Sequence, residues 1–221
     1  DKLFCMFDEH LENKGLISHK GTIVDATFVD APRQRNSRDE NKKIKNGVIP
    51  EGWEKPENKS KLAQKDIDAD WTKKNGERHF GYKDHVKCDA DSKLITNYSV
   101  TSASVHDSQR CLVFIGQEDE VLYADSAYSG KPIALALPEN CKNQICEKGY
   151  RNSPLTSEQK MNNRRKSRIR CRIEQIFGFM TGAMHGITIR SIGITRAWMN
   201  IGITNLVYNF CRYSYLKRAS A

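Results

Sequence analysis

Three acids in this sequence stand where acids are uncommon, and their types suit one kind of chemistry. Asp25 lies in the middle of Gly21-Thr-Ile-Val-Asp-Ala-Thr-Phe-Val-Asp-Ala-Pro32, a β-branched run bounded by glycine and proline that reads as a strand. An acid inside such a strand is disfavoured unless it is paired or metal-bound. Asp125 closes a second apolar run, Glu120-Val-Leu-Tyr-Ala-Asp125, and the carboxyl ends of parallel strands commonly carry functional groups. Glu174 adjoins the apolar face of a helical pattern. If the two strands are neighbours and the helix packs over their ends, the three carboxylates converge. Like charges held that close need cations. A pair of magnesium ions about 3.5–4 Å apart would neutralise them, activate a water or a 3′-hydroxyl, and stabilise the attacking and leaving oxygens of an in-line phosphoryl displacement. An all-carboxylate set favours Mg2+, with Mn2+ as its substitute, over zinc. Each acid also has an ordinary use: Asp25 hydrogen-bonded to a loop, Asp125 capping the following turn, Glu174 paired with Arg170 four residues earlier.

Cations are placed to serve the same chemistry. Lys plus Arg number 36 against 27 Asp plus Glu, a formal charge of +9, which suits a partner made of phosphates. Arg164, Arg165, Lys166, Arg168, Arg170 and Arg172 crowd into one short run that would lie along a phosphate backbone or, alternatively, form a solvated helix face. Arg170, one helical turn before Glu174, is placed to orient that carboxylate or to clamp a phosphate bidentately. Trp71 with Lys73 and Lys74, and Tyr82 with Lys83, interleave aromatics and cations as a stacking and backbone-holding surface does; a strand-edge aromatic beside exposed lysines has the same pattern.

The elements that must position these groups follow from periodicity and punctuation. Residues 2–14 have a helical period that ends at Gly15. After the strand of Asp25, residues 33–76 are almost wholly polar and broken by Pro50 and Pro56, and the expectation is a mobile charged insertion. Alternation resumes over Phe80–Cys88 and Lys93–Thr101, a hairpin turning at Asp89–Ser92. A short helix is expected through Leu112 and Ile115, capped by Asp107 or Ser108, followed by the strand ending at Asp125, a helix stopping at Pro138, and a strand over Asn143–Glu147. Thr156 and Gln159 have capping-box spacing. Ile169, Ile173, Ile176, Phe177 and Met180 form an amphipathic stripe, and a last helix spans about 195–216. The order β-β-β-α-β-α-β-α implies an α/β fold with a mixed sheet flanked by helices.

The seven cysteines, odd in number and without a C-x-x-C pair, read as reduced cytosolic thiols. No apolar stretch approaches the roughly 20 residues that span a bilayer, and no signal pattern opens the chain, which sets membrane and secreted readings aside. The first residues fall within a helical pattern, so residues 1–20 are expected to be the tail of an upstream helical region.

The text around the acids resembles the bacterial insertion-sequence DDE transposases, closest to the insertion-sequence-five group. The matching stretches are Gly21–Ala26 with Pro32–Ser37, Asp70–Lys74, Phe80–Lys83, Val105–Ser108, Tyr123–Tyr128, Arg164–Phe177 and Ile192–Ala197. The resemblance implies an RNase H-like catalytic domain over 21–221 with an insertion at about 33–78. It implies metal ligation and catalysis by Asp25, Asp125 and Glu174, and cleavage and transfer of DNA strands by a multimer assembled on double-stranded DNA. Arg170 corresponds to the arginine of the family's Tyr-x2-Arg-x3-Glu-x6-Lys signature. Ser167 and Thr181 stand where the tyrosine and lysine would fall. These two departures favour a rival expectation, a DNA-binding remnant without catalysis; retention of all three acids opposes it.

Overall fold

The structure is a computed structural model that describes residues 1–74 and 76–219. A six-stranded mixed sheet forms its centre. Strand β1 (Thr22–Asp30) runs antiparallel to the long β3 (Glu77–Asp89) on one side and parallel to β5 (Val121–Ala124) on the other. Beyond β5 lies the short parallel β6 (Lys142–Asn143). The far edge of β3 is shared end to end by β2 (Asp70–Lys74), which pairs with its first half, and β4 (Ile95–Ser102), which pairs with its second. This is the RNase H-like mixed sheet that the sequence implied.

Because neighbouring residues of a strand point to opposite faces, Ile23 and Val24 enter different cores. On Ile23's side the sheet is covered by α7 (Arg172–Gly182) and the long α8 (Ile194–Ala219), through Ile173, Ile176, Met180, Ala197 and Ile201. On Val24's side it is covered by α4 (Ser108–Phe114) and α5 (Lys131–Ala136), through Cys111, Phe114 and Ile133. The first helix, α1 (Lys2–Asn13), leans on α8, with Phe7 and Phe210 edge to face at 4.4 Å. Among the described residues no helix is long and apolar enough to cross a membrane. All seven cysteines are unpaired, four of them buried.

The polar insertion is not structureless. It holds α2 (Arg38–Lys45), a 3-10 turn running into α3 (Lys59–Ala63), and β2, so four strands rather than three precede α4. Ser37 and Glu40 close a capping box on α2, and the Glu40 carboxylate also accepts the Trp53 indole N–H at 2.9 Å. Trp53 is 2% exposed, and the Lys61 and Lys65 ammonium groups lie over its ring. One buried indole framed by cations gives this segment a small core that composition alone conceals. At the other end of the chain the fifth predicted strand shortens to Lys142–Asn143, and the stripe beginning at Ile169 is divided: α6 (Ser157–Arg170), capped by Thr156 and Gln159 as expected, stops at Cys171 before α7 begins.

A buried polar pair joins β3 to α8. Asp84 and Asn205 are both fully buried, and the Asn205 amide donates to Asp84 Oδ1 at 3.3 Å, leaving Asp84 Oδ2 and Asn205 Oδ1 without partners. Burial raises the Asp84 acid well above its ordinary 3.8, against the lowering effect of the Asn205 hydrogen bond. The protonated acid carries no charge for burial to penalise. With the folded pKa raised, the stability contributed here is fully present below the ordinary value and is lost as pH climbs towards the folded one. Asp84→Asn is expected to remove this part of the pH dependence and to raise stability at neutral pH. Urea midpoints at about pH 5 and pH 8 measure it; an Asp84→Asn protein that weakens with pH as the wild type does would refute the assignment.

Candidate active site

Parallel pairing of β1 with β5 aligns Val24 with Ala124, so the next residues, Asp25 and Asp125, lie side by side where β5 ends. Asp125 is exposed, and its Oδ1 accepts the Ser126 amide at 2.6 Å, opening the turn at Ser126–Tyr128. It therefore caps a turn, as its ordinary use suggested, with its second oxygen making no hydrogen bond among the described residues. Asp25 is more enclosed, with a side chain 16% exposed. Glu174 enters from above because α7 sinks Ile173, Ile176 and Met180 into the core, which leaves Glu174 on the helix flank with a side chain 57% exposed.

Arg170 ties the three elements together. Its Nη1 donates to Asp25 Oδ2 at 2.9 Å and its Nη2 to Glu174 Oε1 at 2.8 Å, so one guanidinium bridges β1 and α7. The break at Cys171 sets Arg170 as the last residue of α6, which packs on β5 and the segment after β6 through Lys166, whose ammonium donates to the Ile145 carbonyl, and through Asn163, which bonds the Glu147 backbone. Burial raises the Asp25 acid above its ordinary value. The Ala26 amide, Arg170 and Lys74 pull it back, while the neighbouring Asp125 charge adds to the rise. A carboxylate strained by desolvation and by a like-charged neighbour stabilises itself by gaining a cation.

The all-oxygen donor set of Asp25, Asp125 and Glu174 thus fits a hard divalent ion. Their ligand atoms are not drawn together as a preformed chelate: among the described residues, the group with ligand atoms within 4.8 Å of one another is His19, Glu118 and Asp119. There the Lys87 ammonium already lies 2.9 Å from Asp119 and 3.4 Å from Glu118, neutralising the acids.

The basic run divides by role. Arg164, Arg165 and Arg168 are exposed, and their side chains have no partner among the described residues. Arg172 instead turns inward to the Ala90 carbonyl and Asp91, tying α7 to the β3–β4 turn. Lys73 and Lys74 are exposed at the end of β2. Lys83 is 7% exposed, its ammonium held by the Val105 carbonyl at 2.6 Å and by Asp107 at 2.8 Å. Trp71 is half-buried against Phe80, with the Arg33 guanidinium over its ring. Asp107 occupies the cap position of α4 without capping it, because its carboxylate is taken by Lys83 and approached by Lys74 at 3.9 Å. Ser167 faces Cys146 at 3.8 Å, and the Thr181 hydroxyl donates to its own helix at the Phe177 carbonyl. Sequence reasoning paired Arg170 with Glu174 but missed its bond to Asp25, 145 residues away, for which no local signal exists. It also passed over Tyr128, whose buried hydroxyl has no partner among the described residues and lies near the charges of Asp25 and Asp125.

Comparison with known proteins agrees with this geometry. A family model described as "Transposase DDE domain" matches residues 17–210. The transposase for insertion sequence element IS1106 from Neisseria meningitidis serogroup B is 30% identical over 186 residues, covering 80% of this chain. The chain spans 60% of the length of that relative. No solved structure matches. With two neighbouring strand acids, a helix glutamate bridged to the first of them by arginine, and a family match over nearly the whole chain, this protein belongs to the insertion-sequence DDE transposases.

Proposed function

We propose that this chain cleaves DNA at the ends of an insertion sequence and joins the freed 3′-hydroxyl to target DNA. The observation that carries this reading is the placement of Asp25 beside Asp125 at the end of β5, together with the Arg170 bridge from Asp25 to Glu174 on α7. Asp25, Asp125 and Glu174 would hold a pair of Mg2+ ions, with Mn2+ able to substitute. When bound, such ions activate the attacking hydroxyl and stabilise the leaving oxygen. Asp25, desolvated and enclosed, contributes a carboxylate whose charged form is disfavoured by burial and gains most from a bound cation. Glu174, on a solvent-facing flank, has freedom to swing between Arg170 and a ligand position. Arg170 keeps Asp25 and Glu174 apart in charge and orients both. Water attack and 3′-hydroxyl attack are both in-line displacements at phosphorus, so one set of acids serves both.

In this reading residues 21–221 are the catalytic unit, with an insertion at about 33–78. Arg164, Arg165 and Arg168 meet the phosphate backbone; Lys73, Lys74 and Trp71 hold the strand near the cut. Lys166, Arg172 and Lys83 support that surface from behind. The partners are double-stranded element ends, target DNA and further copies of the chain, acting in the cytoplasm. Ser167 and Thr181 favour the rival, a DNA-binding remnant without catalysis.

The test is strand cleavage and joining on DNA bearing the element's ends, with Mg2+, with Mn2+ and with chelator, using both the 221-residue chain and the complete product of its reading frame. Metal-dependent nicks followed by joined products are expected. Tight DNA binding with no product from either protein under any metal would overturn the catalytic reading and leave the remnant.

A further inference from the structure

Between α2 of the insertion and the outer face of β2 runs a groove of about 530 Å³. Arg38, Asn41 and Lys45 line it from one face of α2, and Lys73 and Arg78 line it from the β2–β3 hairpin. Its floor is formed by Trp71, Thr72 and Ser104. Four cations face this space and no acid lines it. All four are exposed, and their side chains have no partner among the described residues. The nearby Asp70 is buried, with its Oδ1 taken by the Trp71 amide and its Oδ2 by the Ser104 hydroxyl, and it forms no ion pair with any of the four. Glu40, on α2 itself, is turned away to Trp53 and Lys61.

We propose that this groove is a second anchoring site for DNA, binding the phosphodiester backbone beside the cut strand. Unpaired cations converging on a concave surface repel one another, and that cost is relieved when phosphates enter. Asn41 and Thr72 add neutral hydrogen-bonding groups of the kind that position phosphate oxygens. Trp71, packed on Phe80, makes a fixed apolar wall for the sugars. Adjacent lysines of β2 link the groove to the acids: Lys73 lines the groove, while the next residue, Lys74, approaches Asp107 and acts electrostatically on Asp25. DNA leaving the active site along β2 therefore meets these cations next. The inference rests on the DNA reading of the active site and assigns the insertion a purpose within it.

The experiment measures the salt dependence of binding to a labelled duplex bearing an element end, from about 50 to 200 mM salt. Lys73→Gln/Arg78→Gln is compared with Lys2→Gln/Lys14→Gln, which removes the same charge from α1 and its end, away from the groove. The groove variant is expected to lower the slope of log affinity against log salt by about 1.8, some 0.9 for each lost phosphate contact, and to weaken binding by tens of fold at about 100 mM salt. The control should stay within about twofold of the wild type. Lys73→Arg/Arg78→Lys, which keeps both charges, is expected to restore the slope. Equal slopes for the groove and control variants, with the wild type still binding steeply, would overturn the groove while leaving the transposase reading intact. A wild type that binds no DNA would overturn both.

Discussion

Asp125→Ala is expected to leave a folded, DNA-binding protein whose metal-dependent cleavage falls at least about a thousandfold, the equivalent of about 4 kcal/mol of lost transition-state stabilisation. The fold should survive because Asp125 is exposed at a strand end and its structural use is a single bond to the Ser126 amide, worth about 0.5–1.5 kcal/mol. A second consequence distinguishes loss of a ligand from general damage. The Asp125 charge helps to raise the neighbouring Asp25 acid, so its removal should lower the Asp25 titration towards the ordinary range. Single-turnover cleavage assays read the first effect, and carboxyl titration by NMR reads the second. If Asp125→Ala retained more than about a tenth of wild-type cleavage, the loss would be under 1.4 kcal/mol, too small for a metal ligand, and the three-acid mechanism would be wrong.

Gly81→Ala should be the most damaging small substitution in the sheet. Gly81 adopts φ +147°, where side chains are rarely tolerated, and an added Cβ would fall on the Val29 carbonyl oxygen and 2.8 Å from the Ala31 nitrogen. The residue lies at a junction: it pairs with Asp30 of β1 and Asp70 of β2, and its carbonyl accepts the Ala103 amide. The backbone strain costs about 1–3 kcal/mol and the forced separation of strands about 1–3 more. Together these are a large share of the roughly 5–15 kcal/mol that holds a domain folded. Gly47 gives the comparison, since its φ of +72° is also positive but nothing lies within 4 Å of an added Cβ. Gly47→Ala should cost only about 1–2 kcal/mol. Thermal unfolding of the two variants separates close approach from conformational preference; equal losses would show that the contact with β1 is unimportant.

Local chemistry makes several elements legible in the sequence. The capping box at Thr156 and Gln159 and the hairpin turning after Asp89 each depend on residues a few positions apart. The same is true of the apolar stripe that carries Glu174 at its edge. Resemblance to a family extends that legibility to the pairing of Asp25 with Asp125, which periodicity leaves conditional on strand order.

Local chemistry misleads where one distant group changes the outcome. The insertion looks structureless in sequence because its few apolar residues are dispersed, yet burial of Trp53 between Glu40, Lys61 and Lys65 organises it. Asp107 has the spacing of a cap, but Lys83, 24 residues earlier, offers its carboxylate a buried charge partner. That charge-assisted bond outweighs a neutral one to a helix amide.

The sequence by itself thus determined most of the strands and helices outside the insertion and which side chains have the chemistry to hold metal and phosphate, because those properties depend on neighbours within a turn or a pleat. Only the tertiary structure decided that Arg170 joins Asp25 to Glu174, that Lys83 turns inward while Lys73 stays exposed, and that α2 and β2 enclose a basic groove. Such outcomes depend on which surfaces meet after long loops close, and the free energy of that meeting is not written in any short stretch of residues.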